Sequence, residues 1–261
     1  MPRYAIDAEF HGRHFHGSQL QPGLRTVQGD LMAALHGLAG QTVAVRPASR
    51  LDAGVSARHF PCDAVLTAHL PPAALCHALN QRLAEGVSVR RAALVADDFH
   101  AMHHAQSKTY RYRAVVRRSR PSCDTARWWL CRPIDLGILH ACAQAILGER
   151  DLGAFRALRR NDSDDDDPVR RILAAAWQHA REDGDDAYTF TITGTGFLYK
   201  QVRALVGAMC WTAGPYGDMR DFQRAVDSGD IGDRPADIAP AEGLCLMEVD
   251  YGGREPDWVG P

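Results

Sequence analysis

Between residues 3 and 94 the spacing of apolar side chains switches repeatedly between the strand period and the helix period, and that order limits the fold more than any other feature. Arg3 to Phe10 alternates as a half-buried strand does. Thr26 is a natural helix cap, and Val27, Leu31, Ala34, Leu35 and Leu38 follow at helical spacing. Thr42 to Ala48 and Arg58 to Thr67 read as strands flanking a short loop. Pro71-Pro72 opens a helix reaching about Leu83, and Val87 to Leu94 returns as a strand. The sequence β-α-β-β-α-β is that of a ferredoxin-like split unit.

The second part repeats the theme loosely. Gln106 to Arg117 reads as a long strand, and Asp135 caps a helix through Leu147. Ile172 to Arg181 and Ala187 to Thr193 form a hairpin around Glu182-Asp183-Gly184-Asp185. Phe197 to Trp211 and Asp221 to Asp227 read as helices, and Cys245 to Tyr251 as a closing strand. The expectation is an α+β protein of two related halves, residues 1–104 and 105–251, sharing one continuous sheet. The Gly- and Pro-containing stretch 252–261 reads as a flexible tail.

Several chemistries find no support. Seven cysteines, an odd number without any CxxC pair, read as free thiols in a reducing compartment rather than a disulfide framework. His103-His104, the only adjacent histidine pair, would point to opposite faces of a strand and chelate poorly. With no phosphate-binding glycine loop, dinucleotide fingerprint or metal cluster, neither cofactor nor metal is expected. No signal peptide or membrane-length apolar run is present, so the reading is cytoplasmic. The net charge of −2 does not announce a polyanion partner, but residues 101–132 carry eight Lys or Arg against one acid, Asp124. Alternating along a strand, these suit contact with phosphates; they equally suit the protection of a sheet edge. Five Asp among residues 162–167 read as a solvated loop.

One loop stands out chemically: Arg50-Leu51-Asp52-Ala53-Gly54-Val55-Ser56-Ala57. Arg50 and Asp52 flank one residue, and Gly54 permits a sharp turn. Such an Asp can be a nucleophile or a base, with Arg50 keeping it ionised. It can also be part of an ordinary turn with a surface ion pair.

Further segments accompany this loop in order: Thr26-Val27-Gln28; Phe99-His100-Ala101 with Ser107-Lys108-Thr109-Tyr110-Arg111-Tyr112; Gly196 through Arg203; and Ala241-Glu242-Gly243-Leu244. The set, spread from about Arg3 to Tyr251, resembles the tRNA pseudouridine synthase A family. That resemblance implies two ferredoxin-like halves on one mixed, mainly antiparallel sheet with helices packed on it and a central cleft. It implies a cofactor-free isomerase that turns uridine into pseudouridine in the tRNA anticodon stem-loop, at nucleotides 38–40, and a homodimer. It makes Asp52 the essential carboxylate, Tyr110 the aromatic that stacks on the target base, and Arg203 the basic partner of the aspartate. Arg50, Lys108, Arg111, Lys200 and Leu244 then contact substrate, Leu244 by closing the base pocket. Read as isolated side chains, Tyr110 equally suits a sheet aromatic, Arg203 a solvated helix residue, and Phe15 and His16 ordinary surface.

The chain departs from the family signature Gly-Arg-Thr-Asp-x-Gly-Val-His-Ala at Ser49, Leu51 and Ser56. Ser18 replaces a usual Trp, Met102 a usual Arg, and the 162–167 run is acidic. These changes remove expected RNA-facing groups. They keep open two other readings: a diverged synthase acting on free uridine or a uridine nucleotide, and a catalytically silent RNA-binding module.

Overall fold

The computed structural model describes residues 1–123, 126–158 and 167–261. Its strands form a ten-stranded mixed, mainly antiparallel sheet carrying five α-helices. The chain divides into two compact units: residues 1–108 with 245–261, and residues 109–244. The first boundary lies four residues beyond the expected one. The closing strand, expected in the second half, belongs with the first unit.

In the first unit β1 (Arg3–Phe10), α1 (Val27–Ala39), β2 (Arg46–Pro47), β3 (Ser56–Val65), α2 (Pro72–Asn80) and β4 (Val87–Val95) follow the order read from the sequence. The strands lie β4-β1-β3, with β2 paired to β3 on a side path. β1 runs antiparallel to both neighbours. β10 (Leu244–Asp250) joins β3 in parallel through Cys245 and Leu246. Thr26 caps α1 by accepting from the Gly29 N–H at 3.2 Å.

Three local expectations differ. Thr42 to Ala48 alternates in burial, but only Arg46 and Pro47 enter the ladder, where proline has no N–H to extend it. α2 stops at Asn80 because its side chain leaves the helix to clasp Val89, donating to the carbonyl and accepting from the N–H, each at 2.7 Å. The tail is tied down. Val259 and Ala92 exchange two backbone bonds of 2.9 Å, and the Arg91 guanidinium stacks on Trp258 with 4.9 Å to the ring centre.

The second unit comprises β5 (Ser107–Val116, from Thr109), β6 (Trp128–Leu130), α3 (Leu136–Ala145), β7 (Gly148–Asp151), β8 (Val169–Glu182), β9 (Asp185–Gly194), α4 (Gln201–Thr212) and α5 (Met219–Ser228). Strand order is β5-β9-β8-β7, with β6 parallel to β5. Asp135 caps α3 as expected, accepting from the Ile138 N–H at 2.9 Å. The β8–β9 hairpin turns through Asp183 and Gly184, both at positive φ. Under it Trp177 and Phe190 stack at 4.9 Å, and the Trp177 indole N–H points at the Met209 sulfur of α4. Helix α4 begins at Gln201 rather than Phe197, because Lys200 turns the backbone through φ +58°. Residues 162–166 of the acidic run and Asp124 fall outside the described residues. Among the described residues, no helix is long and apolar enough to cross a membrane.

Candidate active site

The Asp52 loop is shaped by its own turn and by the segment that follows β1. The Val55 N–H donates to the Asp52 carbonyl at 3.2 Å, closing a four-residue turn with Gly54 third at φ +85°. That left-handed φ is what a type II turn asks of its third residue, and glycine meets it without a steric cost. Leu51 points inward and is 8% exposed, while its neighbours Arg50 and Asp52 are exposed and half-buried.

Leu51 is clamped by Ser18. The Ser18 N–H donates to the Leu51 carbonyl at 2.9 Å, and the Leu51 N–H donates to Ser18 Oγ at 2.8 Å. Ser18 is fully enclosed, and its carbonyl accepts from the Gln28 N–H in the first turn of α1 at 3.0 Å. Gly12 presses on the far side of the turn: a Cβ there would lie 2.4 Å from the Gly54 carbonyl. Ser56 Oγ accepts from the Gly12 N–H at 3.0 Å. Ser18 and Ser56, expected as lost RNA-facing groups, are the polar ties of this loop. Sequence reasoning missed them because Ser18 meets Leu51 across 33 residues. The glycines at 12 and 17 were the available signal of a close approach.

Lys108, the last residue of the first unit before its return at 245, reaches the same loop. Its Nζ donates to the Ala48 carbonyl at 2.8 Å, two residues before Arg50. Burial lowers this ammonium from its ordinary value to about 8.

In the second unit β5 carries Tyr110 and Tyr112 inward, with Thr109, Arg111 and Arg113 between them partly open. Tyr110 is 7% exposed and meets the Phe197 ring edge-on at 5.2 Å. The Tyr112 hydroxyl donates to the Pro240 carbonyl at 2.8 Å. Gly243 lies so close to that ring that a Cβ would stand 2.6 Å from it. Burial raises the Tyr112 phenol far above its ordinary value, with nearby Arg203 acting in the opposite sense. Arg203 is the half-buried member of an otherwise buried run, Gln201 to Cys210 of α4. Its Nε donates to the Ala239 carbonyl at 2.8 Å, and the Ala239 N–H returns a bond to the Arg203 carbonyl at 3.1 Å. Arg203 and the segment Ala239–Leu244, with Leu244 6% exposed, are thus gathered around Tyr112. Arg111 Nε is buried with no hydrogen-bond partner among the described residues, and Lys200 stacks on the neighbouring Tyr199 ring with 4.9 Å to its centre.

The site residues therefore fall into two groups, each built within its own unit: Arg50, Asp52 and Lys108 in the first, Tyr110, Arg111, Lys200, Arg203 and Leu244 in the second. Among the described residues, no three His, Cys, Asp or Glu are grouped to hold a metal ion.

A family model described as tRNA pseudouridine synthase matches residues 142–252. The tRNA pseudouridine synthase A of Maricaulis maris is 35% identical over 255 residues, covering 97% of this chain and 99% of its own. That of Agrobacterium fabrum is 34% identical, covering 100% and 95%. That of Methylobacterium nodulans is 36% identical, covering 96% of each. Among solved structures, the archaeal box H/ACA sRNP Nop10-Cbf5 complex aligns at a TM-score of 0.31 and 11% identity over 89% of this chain and 63% of that one, too weak a likeness to carry an argument.

Proposed function

The chain belongs to the tRNA pseudouridine synthase A family, and from that membership we propose that it isomerises uridines of the anticodon stem-loop, at nucleotides 38–40, with Asp52 as the catalytic carboxylate. The protein is an isomerase that makes pseudouridine in tRNA. The reaction breaks C1′–N1 and forms C1′–C5; the proton lost from C5 is balanced by one gained at N1, so nothing is oxidised or reduced. Such chemistry asks for a carboxylate at the sugar, a group to take the C5 proton and a charged frame around the phosphates.

Asp52 supplies the carboxylate. Its support is the loop itself: a turn gripped at Leu51 by two hydrogen bonds and backed by Gly12 is held for the sake of one side chain. Tyr110 stacks on the target base and takes the C5 proton. Arg203, fixed by its backbone exchange with Ala239, keeps the carboxylate ionised. Leu244 closes the base pocket. Exposed Arg50 contacts phosphate and helps turn the base out of its stack, and Arg111 and Lys200 hold neighbouring phosphates. Of the changes that motivated a free-nucleotide substrate, at Ser18, Met102 and Ser56 with the acidic run 162–167, those at Ser18 and Ser56 are accounted for by the loop, and family membership favours tRNA.

The protein further works as a homodimer in the cytoplasm. The second unit presents a concavity of about 620 Å³ lined by Trp128, Trp211, Tyr216, Ile231 and Ile238 among others. Trp211 and Tyr216 are 50% and 71% exposed, with Arg132 stacked on Tyr216, a composition suited to a second protein surface.

The test is pseudouridine formation by the purified protein on unmodified tRNA and on UMP, with nucleotide mapping. Product confined to the anticodon stem-loop and abolished in Asp52→Ala is expected. A folded Asp52→Ala that turns over tRNA overturns the role of Asp52, and product from UMP overturns the substrate.

A further inference from the structure

We propose that Lys108 is a positioning residue for the Asp52 loop, its ammonium holding the Ala48 carbonyl at the foot of that loop; the proposal rests on the reading of Asp52 given above. The geometry is specific. Lys108 opens β5, and its Nζ reaches back sixty residues to Ala48 at 2.8 Å. This is its one hydrogen bond among the described residues, and it forms no ion pair with them. An ammonium has three protons to donate and is strongly hydrated in water. Lys108 is half-buried, and among the described residues the Ala48 carbonyl is its hydrogen-bond partner.

Burial depresses its basicity. The charged groups on the surrounding segments of this unit are Arg50 and Asp52 on the loop it holds, and Glu248 and Asp250 on β10, whose Asp250 carbonyl accepts from Gln106 at 2.8 Å. Glu248 and Asp250 point to solvent. The bond ties the first residues of β5 to the segment that leads into the Asp52 loop.

Charge matters to the bond. A hydrogen bond from an ammonium is roughly twice as strong as one from a neutral donor. Below about pH 8 Lys108 is charged and the grip on Ala48 is firm; as pH rises through that value the grip weakens. The stability effect has the opposite sign. The folded-state value is lowered, so the penalty of burying the charge is fully present below pH 8 and is relieved between there and the ordinary lysine value.

The experiment measures kcat and KM on tRNA from pH 6.5 to 9.5, with melting curves, for the parent protein, Lys108→Met, Lys108→Arg and Asp52→Asn. Lys108→Met should lose roughly tenfold or more in kcat. Its KM should stay within about twofold and its melting temperature should rise at pH 7. The parent should lose kcat above pH 8; this limb should move upward in Lys108→Arg and vanish in Lys108→Met. A lower melting temperature in Lys108→Met would make the residue part of the scaffold. A raised KM at unchanged kcat would make it a phosphate contact. Either result overturns the proposal, as does an unchanged pH limb. Inactivity of Asp52→Asn beside a fully active Lys108→Met overturns the role of Lys108 and leaves that of Asp52 standing; an active Asp52→Asn removes both.

Discussion

Ser18→Ala isolates the clamp on the Asp52 loop. The substitution deletes Oγ and leaves the Leu51 N–H without its acceptor in a residue that is only 8% exposed. The second bond, from the Ser18 N–H to the Leu51 carbonyl, survives because it is backbone to backbone. A buried donor stripped of its acceptor costs about 1–3 kcal/mol. Alanine adds no bulk, so no strain is added to that figure. In a chain of this size each kcal/mol lowers the melting temperature by about 2–4 °C, so a fall on the order of 5 °C is expected. The same energy, charged against the loop geometry that Asp52 needs, is worth roughly a 5- to 150-fold drop in single-turnover rate. KM for tRNA should hardly move, since Ser18 is enclosed and touches no solvent. The assay pairs single-turnover pseudouridine formation with thermal melting. A parent-like rate together with the melting loss would refute the idea that this clamp sets the carboxylate. Parent-like values for both would refute the clamp itself.

Other perturbations follow from the same geometry. Gly12→Ala would drive a methyl into the Gly54 backbone at 2.4 Å, so the turn must move; activity should fall at least a hundredfold while circular dichroism remains native. Asp7 is fully enclosed, and burial lifts its carboxyl to about 6 against the pull of Arg91, while burial holds the adjacent His59 down to about 4. The raised carboxyl weakens the fold above pH 6 and is relieved as pH falls, whereas the depressed imidazole weakens it as pH falls below its ordinary value; the two oppose. His59→Asn should therefore gain stability on the order of 1 kcal/mol between pH 7 and pH 5, where the parent changes little, as read by urea titration. Trp211→Glu should shift a dimer to monomer in light scattering without changing the far-ultraviolet spectrum.

Much of the first unit was legible because its signals are local. Val27, Leu31 and Leu35 at helical spacing behind Thr26 specify α1, and alternation specifies β1 and β3. The short strands β6 and β7 gave no such signal: every residue of Gly148–Asp151 is exposed, so no alternation marks it. The start of α4 was misplaced because the Phe197–Lys200 turn is apolar enough to pass for helix, and only the backbone at Lys200 reveals the break. The tail looked loose from its glycines and prolines, yet Trp258 has a guanidinium to lie against and Val259 a strand to pair with. The candidate carboxylate Asp52 stood out in the sequence, where residue types cluster in one octapeptide. Its supports were not: Ser18, Gly12 and Lys108 come from distant segments, and a serine that ties a backbone reads in sequence like any surface serine.

The first unit is written into the chain in two instalments, with 136 residues of the second unit between them. β10 lies beside β3, so the sheet that carries the Asp52 loop lacks a strand until translation has passed residue 250. The second unit has its whole sequence in hand earlier and can collapse first. Contacts of such long sequence separation form slowly. The half that holds the carboxylate is thus the first to leave the ribosome and the last to be finished, and a premature stop anywhere between would strand it unfinished.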